Sequence, residues 1–364
     1  MTLRVTVAAS PFDFGDLWPK IDRPGSARVH IFQTAELLQL WCATIGKARG
    51  VAPLFLRVDG ASGEPIMLVS MGLERRAAGV RVLTYLDGGV SDYNAPILLT
   101  DEPVTSSPGA LWRALTEALP TFDVAMLEKM PHQVLGAGNP LSNLAAEAQP
   151  PSAHVVPLQG DWPAFVRTRL HRPKDSRRKM SRLAEHGEVR FVIAETQSDV
   201  ERLFPVLIAQ KTRRYLDLNS EDGFDRPGYR DYYRTVTTEL FPRGVVHLSA
   251  LEVGGEILAT HWGLTFNQRF YALMLAFAEH PLSRYSPGRL LVERLVEWSF
   301  ARGLSAFDLG VGDMAWKQHF SPERVPLRHL AFAANPVGWT YLEARKLRDG
   351  LRVRAFPGTS PKAA

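Results

Sequence analysis

Two stretches in the last third of the chain combine residue types and spacings suited to an anionic ligand. In Arg284-Tyr-Ser-Pro-Gly-Arg-Leu-Leu-Val-Glu-Arg-Leu-Val-Glu-Trp-Ser-Phe-Ala-Arg-Gly303, Ser286 is a good N-cap and Pro287 fits the first helical position. Leu291, Leu295 and Trp298 recur at helical spacing until Gly303 ends the run. The free N–H groups of a first helical turn and the helix dipole favour an anion, and Gly288 would let a ligand approach the backbone closely. A diphosphate suits such a place, and a well-capped structural helix is the plainer alternative. The second stretch, Phe307-Asp-Leu-Gly-Val-Gly-Asp-Met-Ala-Trp-Lys-Gln-His-Phe320, sets Asp308, Asp313 and Lys317 around two glycines at a strand end, either lining a pocket or forming a solvated turn. Gly310 and Gly312 do not make a dinucleotide fingerprint, because too little chain follows for a βαβ unit.

A third chemical feature is basic. From Arg167 to Arg182, eight of sixteen residues are Arg or Lys against the single acid Asp175, a density that can grip phosphates or simply face solvent. No helix-turn-helix or zinc-finger pattern accompanies it, which counts against nucleic-acid readout. Ser176-Arg-Arg-Lys179 matches a Ser-x-x-Lys nucleophile pattern only formally, and neither a G-x-S-x-G elbow nor an H-E-x-x-H zinc motif occurs. His261, inside Ala259-Thr-His-Trp-Gly263, is a candidate base or a structural strand histidine. The polar run from Asp217 to Tyr229 reads as a lid or a long surface loop.

These groups need elements to hold them. The 364 residues suit two domains, and 45% apolar, 22% charged and 10% aromatic residues describe an ordinary globular chain rather than a disordered or fibrous one. A small, polar segment with Pro-Pro, Ala145 to Ala153, marks the boundary, so the domains are expected at 1–145 and 154–356, with 146–153 as linker and 357–364 as a frayed tail. Ahead of the linker, Gln33 to Ile45 reads as a helix, followed by strands at Pro53 to Val58, Pro65 to Leu73 and Val80 to Tyr85. After it come a basic helix near Asp175 to His186, a strand at Val189 to Ala194, and helices at Ser198 to Tyr215 and Tyr229 to Leu240. A second meander runs from Val245 to Phe277, then helix Ser286 to Arg302, strands Ala306 to Leu309 and Leu327 to Ala333, and helix Val337 to Arg352. Glu64 to Leu73 can be laid over Glu256 to Leu264, each after a glycine turn, which suggests a duplicated α/β fold.

The net charge of +5 divides into −3 over residues 1–160 and +8 over residues 161–364, favouring an anionic partner in the second half. The lone Cys42 excludes internal disulfides and multi-cysteine metal sites, and no leader or long apolar run is evident, so a cytoplasmic protein without metal is expected.

A meander, a glycine-bearing helix start and a strand ending in Asp-Leu-Gly-x-Gly-Asp-x-x-x-Lys resemble the GNAT superfamily of acyl-CoA N-acyltransferases. The closer resemblance is to the CelD/BcsL branch, related to the FemAB peptidyltransferases. It rests on Tyr285-Ser-Pro-Gly288-x-Leu-Leu291, Asp308-Leu-Gly-x-Gly-Asp313 with Lys317, Ala259-Thr-His-Trp-Gly263, Phe32-Gln-Thr-x-Glu-Leu37 and Ser91-Asp-Tyr93. The resemblance implies tandem GNAT-like domains of the α/β (α+β) class, each a mixed, largely antiparallel sheet flanked by helices, with the first domain structural or acceptor-binding. It implies an acyl-CoA co-substrate, acetyl-CoA among them, and an amine or sugar hydroxyl acceptor. The superfamily's Gln/Arg-x-x-Gly-x-Gly/Ala loop aligns with Tyr285-Ser-Pro-Gly288-Arg-Leu290, which shares only the central glycine.

On this reading Ser286, Gly288, Arg289 and Leu290 would bind the donor, Asp313 or His261 would act as base and Tyr285 as acid for the thiolate. Lys317 and Arg178 would contact anions, and Asp308 and Trp316 would line the substrate site. FemAB relatives take aminoacyl groups from transfer RNA, so the basic stretch offers a second donor class. An accessory protein of a cellulose or exopolysaccharide machine is a non-catalytic alternative. The basic residues beside Trp339 and Tyr341 leave room for peripheral contact with an anionic membrane.

Overall fold

The computed structural model describes residues 3–100, 107–145, 151–217 and 222–355. They form two compact units: Met1–Ser152 with Val325–Ala364, and Ala153–Arg324.

The first unit is built on the strands β1 (Arg4–Ala8), β2 (Ala52–Asp59), β3 (Pro65–Arg75), β4 (Arg81–Tyr85), β5 (Ile97–Leu98) and β6 (Val124–Pro131). A small hairpin, β7 (Gln133–Val134) with β8 (Ala137–Gly138), follows. Its helices are α1 (Ala35–Trp41), which runs through a π turn into α2 (Lys47–Arg49), and α3 (Pro108–Ala118). The second unit has β9 (Ala153–Pro157), α4 (Trp162–Thr168), α5 (Pro173–Ala184), β10 (Val189–Ile193), α6 (Gln197–Asp217) and α7 (Tyr229–Leu240). It continues through β11 (Val246–Val253), β12 (Glu256–Phe266), β13 (Arg269–Phe277), α8 (Pro287–Ala301), β14 (Ala306–Val311) and β15 (Glu323–Val325). Strand β16 (Leu327–Ala333) and helix α9 (Pro336–Ala355) end the described chain.

The sheets repeat one plan. The first is ordered β1-β2-β3-β4-β6-β16, with β5 on β3, and the second β10-β11-β12-β13-β14-β9-β15. Each contains a parallel pair joined by a crossover helix: β4 with β6 through α3, and β13 with β14 through α8. Each parallel pairing lasts three residues, Val82 to Thr84 against Val124 to Met126 and Arg269 to Tyr271 against Ala306 to Asp308. Beyond those points the strands part. The fold is thus mixed α/β, with largely antiparallel sheets flanked by helices.

Alternation in the sequence produces these layers. Leu54, Leu56 and Val58 of β2 and Met67, Val69 and Met71 of β3 turn one face to Leu111 and Leu115 of α3. In the second unit Leu251, Leu258 and Phe270 meet Leu291 and Leu295 of α8. Both leucines of α8 are fully buried, worth about 2 kcal/mol each.

The domain limits differ from the sequence expectation at one end. Residues 154–356 were expected to form the second domain, yet β16 pairs with β6, from Leu327 against Pro131 to Ala333 against Val124. Helix α9 packs Tyr341 and Leu342 on Val80, Val82, Val124 and Met126 of the same unit. The reason is edge pairing: β9 already occupies the outer edge of β14, whereas β6 would otherwise present open backbone groups. Residues 146–150 of the expected linker and the tail from 357 lie outside the described residues, as do 218–221 of the expected lid.

Candidate functional site

The sequence brings its chemistry to the place where β13 and β14 diverge. After Tyr271, β13 keeps only β12 as a partner, up to Phe277 against Ala259. After Asp308, β14 keeps only β9, which it pairs with from Ala306 against Pro157 to Val311 against Ala153. Backbone groups on the facing edges lose their ladder partners in this V-shaped opening. Helix α8 begins beside it, behind the short 3-10 turn Pro281–Tyr285.

Ser286 stands at the expected N-cap position, in the left-handed region at φ 57° and ψ 53°, a conformation that is uncommon for serine. Its side chain makes no capping bond; Oγ accepts from Lys179 Nζ of α5 at 3.1 Å. Gly288 is buried, and a Cβ there would touch Leu275 and Phe277 of β13 at 3.4 to 3.5 Å. These are ordinary van der Waals distances, so the start of α8 rests against β13 at this point. Leu290 points into the core, 1% exposed, rather than toward a ligand.

The basic stretch docks on this helix start through Lys179 and its few non-basic groups. Helix α5 buries Ser176, whose Oγ donates to Glu293 Oε1 of α8 at 2.6 Å. His319 Nε2 reaches the same oxygen at 2.8 Å, and Arg289 Nη1 lies 3.1 Å from His319 Nδ1. Arg289 Nη1 is equally 3.1 Å from His319 Nε2, so the guanidinium lies against the ring as a whole. Arg289 also pairs with Asp175 at 3.2 Å, and Asp175 with Lys179 at 3.3 Å and Arg178 at 2.8 Å. Burial works to raise the Asp175 carboxyl, but hydrogen bonds from Arg178 and Lys179 hold it below its ordinary value. Arg178 is mostly exposed, and so are Arg172, Lys174, Arg177 and Arg182.

On the opposite side of the opening, Lys317 is buried and donates to the carbonyls of Gly310 at 2.8 Å and Val311 at 3.1 Å, fastening the end of β14. Gly310 and Gly312, at φ 70° and 118°, turn the chain outward. The turn presents Asp313, 41% exposed, whose Oδ1 lies 2.9 Å from Nε2 of the buried His154. His154, at the start of β9, went unnoticed in the sequence because it stands beside a linker with no motif around it. Asp313 and His154 form a carboxylate–imidazole pair that reaches solvent through Asp313.

Three other expected site residues have different work. Asp308 is 1% exposed, bonded to Arg269 at 2.8 Å and to the Gly310 N–H at 2.9 Å, so it joins β13 to β14. Trp316 packs on the core edge-on to Phe320. His261 is corrected most clearly. It lies on β12, fully buried against Phe270, with no hydrogen-bond partner for either ring nitrogen, and burial holds it neutral, well below the ordinary histidine value. A group so enclosed has no path to an acceptor. Tyr285 is partly buried beside Arg284 and His186, next to the α8 start. Among the described residues no group of three or more His, Cys, Asp or Glu is placed to hold a metal, and no helix is long and apolar enough to cross a membrane.

Comparison with known proteins bears on most of this site, although His154 and His319 lie outside the matched segment. Residues 171–318 match the family model described as an acetyltransferase (GNAT) domain. Among solved structures, one described as FemX is 11% identical and covers 86% of this chain and 94% of its own, with a TM-score of 0.59. A conserved protein of unknown function from Bacteroides thetaiotaomicron is 10% identical, covers 81% of this chain and 88% of its own, and has a TM-score of 0.51. A tandem GNAT protein from the clavulanic acid biosynthesis pathway is 12% identical over 92% of this chain and 99% of its own, with a TM-score of 0.46. No curated protein matches the chain. Residues 171–318 are thus similar to a GNAT-type acetyltransferase domain, and the chain's likeness to the FemX structure is one of fold.

Proposed function

We propose that the second unit is an acyltransferase that moves an acyl group from acyl-CoA to an amine or sugar hydroxyl. The observation that carries this reading is the V-shaped opening between β13 and β14, flanked by the start of α8, within the segment that matches the acetyltransferase domain. Unpaired N–H groups along β13 would hold the thioester carbonyl oxygen and, more tightly, the oxyanion that follows nucleophilic attack. Asp313, steadied by His154, would take the proton of the attacking amine or hydroxyl. The carbon–sulfur bond would then break, with the Tyr285 hydroxyl protonating the departing thiolate. Lys179, Arg289 and the exposed arginines of α5 would meet the donor's phosphates. Membership of the CelD/BcsL branch, with a role in cellulose or exopolysaccharide synthesis in the cytoplasm, belongs to the same reading and rests on the quoted motifs.

A transfer-RNA donor is the second reading, favoured by the five exposed cations Arg172, Lys174, Arg177, Arg178 and Arg182 on and beside α5. Calorimetric titration with coenzyme A, acetyl-CoA, a long-chain acyl-CoA and a charged transfer RNA separates the two. Saturable binding of a coenzyme A compound is expected, weakened about tenfold by Lys179→Ala through loss of one charge-assisted contact. Binding of transfer RNA alone would replace the first reading with the second.

A further inference from the structure

Helix α6 carries two cations, Lys211 and Arg214, three residues apart and so neighbours on the helix surface. Among the described residues, neither makes a hydrogen bond or an ion pair. Each lies against an aromatic ring: Lys211 Nζ is 5.6 Å from the centre of Tyr215, and the Arg214 guanidinium is 5.3 Å from that of Phe277. Phe277 is the last residue of β13, on the part of that strand beyond its split from β14. A Cβ on Gly288 of α8 would rest against the same ring at 3.4 Å. Arg214 and the start of α8 thus share Phe277 as a neighbour, and the cation pair stands beside the opening.

The acids nearby are committed elsewhere. Arg213, between the two in sequence, pairs with both Asp217 and Glu279. Asp222 accepts from the Thr212 hydroxyl at 2.8 Å and from the Phe224 N–H at 3.0 Å. Like charges at this helical spacing repel. Burial, and after it the charge of Arg214, push the Lys211 amine below the ordinary lysine value. Both side chains remain partly exposed, so a ligand can reach them. An oxyanion between them would offset a repulsion and a desolvation cost that the protein itself leaves uncompensated.

We propose that Lys211 and Arg214 bind a carboxylate or phosphate carried by the acceptor, so that the second unit selects anionic acceptors over neutral ones. The inference rests on the acyl-transfer reading for the word acceptor, whereas the anion site itself does not. The donor's phosphates have a separate set of cations in that reading, Lys179 of α5 and Arg289 of α8. What remains for the α6 pair is the other substrate. Arginine offers a planar fork of donors and lysine a mobile point charge, a combination that holds a compact oxyanion from two sides.

The test is calorimetric titration of the full chain with glucosamine 6-phosphate and with glutamate, each against its counterpart lacking that anion, glucosamine and glutamine. At least one anionic ligand should bind saturably and about tenfold more tightly than its counterpart. Lys211→Met and Arg214→Met should each weaken that binding about tenfold and leave coenzyme A binding unchanged. Arg234→Met, which removes an exposed cation from α7, should not affect it. Without ligand, Lys211→Met should melt at the same temperature or higher, because it removes a charge that has no acid beside it and keeps an apolar stem. Absence of saturable binding by both anions, equal affinity for the neutral counterparts, affinity unchanged in either α6 variant, or a lower melting temperature of Lys211→Met would each overturn the proposal. Acetyl transfer from acetyl-CoA to glucosamine without this anion binding would overturn it while the acyl-transfer reading stands. The expected anion binding without any acetyl transfer would uphold the site and place the failure in that reading.

Discussion

The pairing of Asp313 with His154 carries the chemistry proposed for the second unit, and it can be tested one residue at a time. Asp313→Asn and His154→Gln should each lower kcat by about a hundredfold, the range of a lost general base, while leaving the donor's binding constant nearly unchanged. Steady-state rates together with donor titrations decide this. The interior histidines predict a different pH response. Burial pushes His247 down to about 3 from an ordinary 6.5, and His261 also falls well below that value. Both groups are depressed on folding, so their contribution to stability is complete above about 6.5 and is lost as the pH falls toward 3, where the unfolded chain binds protons that the folded chain refuses. The slope should be about 1.4 kcal/mol per pH unit for each histidine. Urea unfolding across that window should show it, and His247→Phe should remove one proton's share. The sequence displayed Asp313 and Lys317 through their glycine-rich turn. It concealed His154, because a histidine beside a linker carries no periodicity, and it overstated His261, because nothing local distinguishes a sealed strand position from an open one.

At the level of elements, the two meanders share more than hydropathy. The overlay of Glu64 to Leu73 on Glu256 to Leu264 puts Gly72 of β3 opposite Gly263 of β12, and both are crowded. A Cβ on Gly263 would stand 2.5 Å from the Tyr271 carbonyl oxygen, which is backbone, whereas one on Gly72 would meet side-chain atoms of Val51 and Leu86 at 2.6 and 2.8 Å. Gly263→Ala should therefore cost about 3 kcal/mol and Gly72→Ala about 1 kcal/mol, since methyl groups yield more readily than a carbonyl. Denaturant midpoints of the two variants check the order. Elements of this kind were legible because strong alternation and clear caps marked them: β2 to β4, α7, β11 to β13 and α8 all lie near their sequence limits. Helix α5 was legible as a basic helix, but its grip on α8 was not. That contact runs through Ser176 and Asp175, two ordinary polar residues amid eight cations.

For the whole molecule, the order of strands along the chain differs from their order in space. The second unit is one continuous segment that contains all seven of its strands, whereas the first is completed by β16 and α9 from beyond it. A fragment of residues 153–325 should unfold cooperatively on its own, and a fragment of residues 1–152 should not, because β6 lacks its neighbour. Circular dichroism melts of the two fragments test this, and a cooperative transition in the shorter one would contradict it. Sequence reading missed the arrangement because edge pairing is decided by which strand arrives first at an open edge, and no residue pattern records that. During synthesis the ribosome must add the residues between Pro131 and Leu327 before β6 meets its partner. At roughly 5 to 20 residues per second this takes on the order of 10 to 40 s. The half of the protein made first is therefore the half finished last, and throughout that interval the nascent chain carries an unsealed sheet edge that chaperones or neighbouring chains can engage.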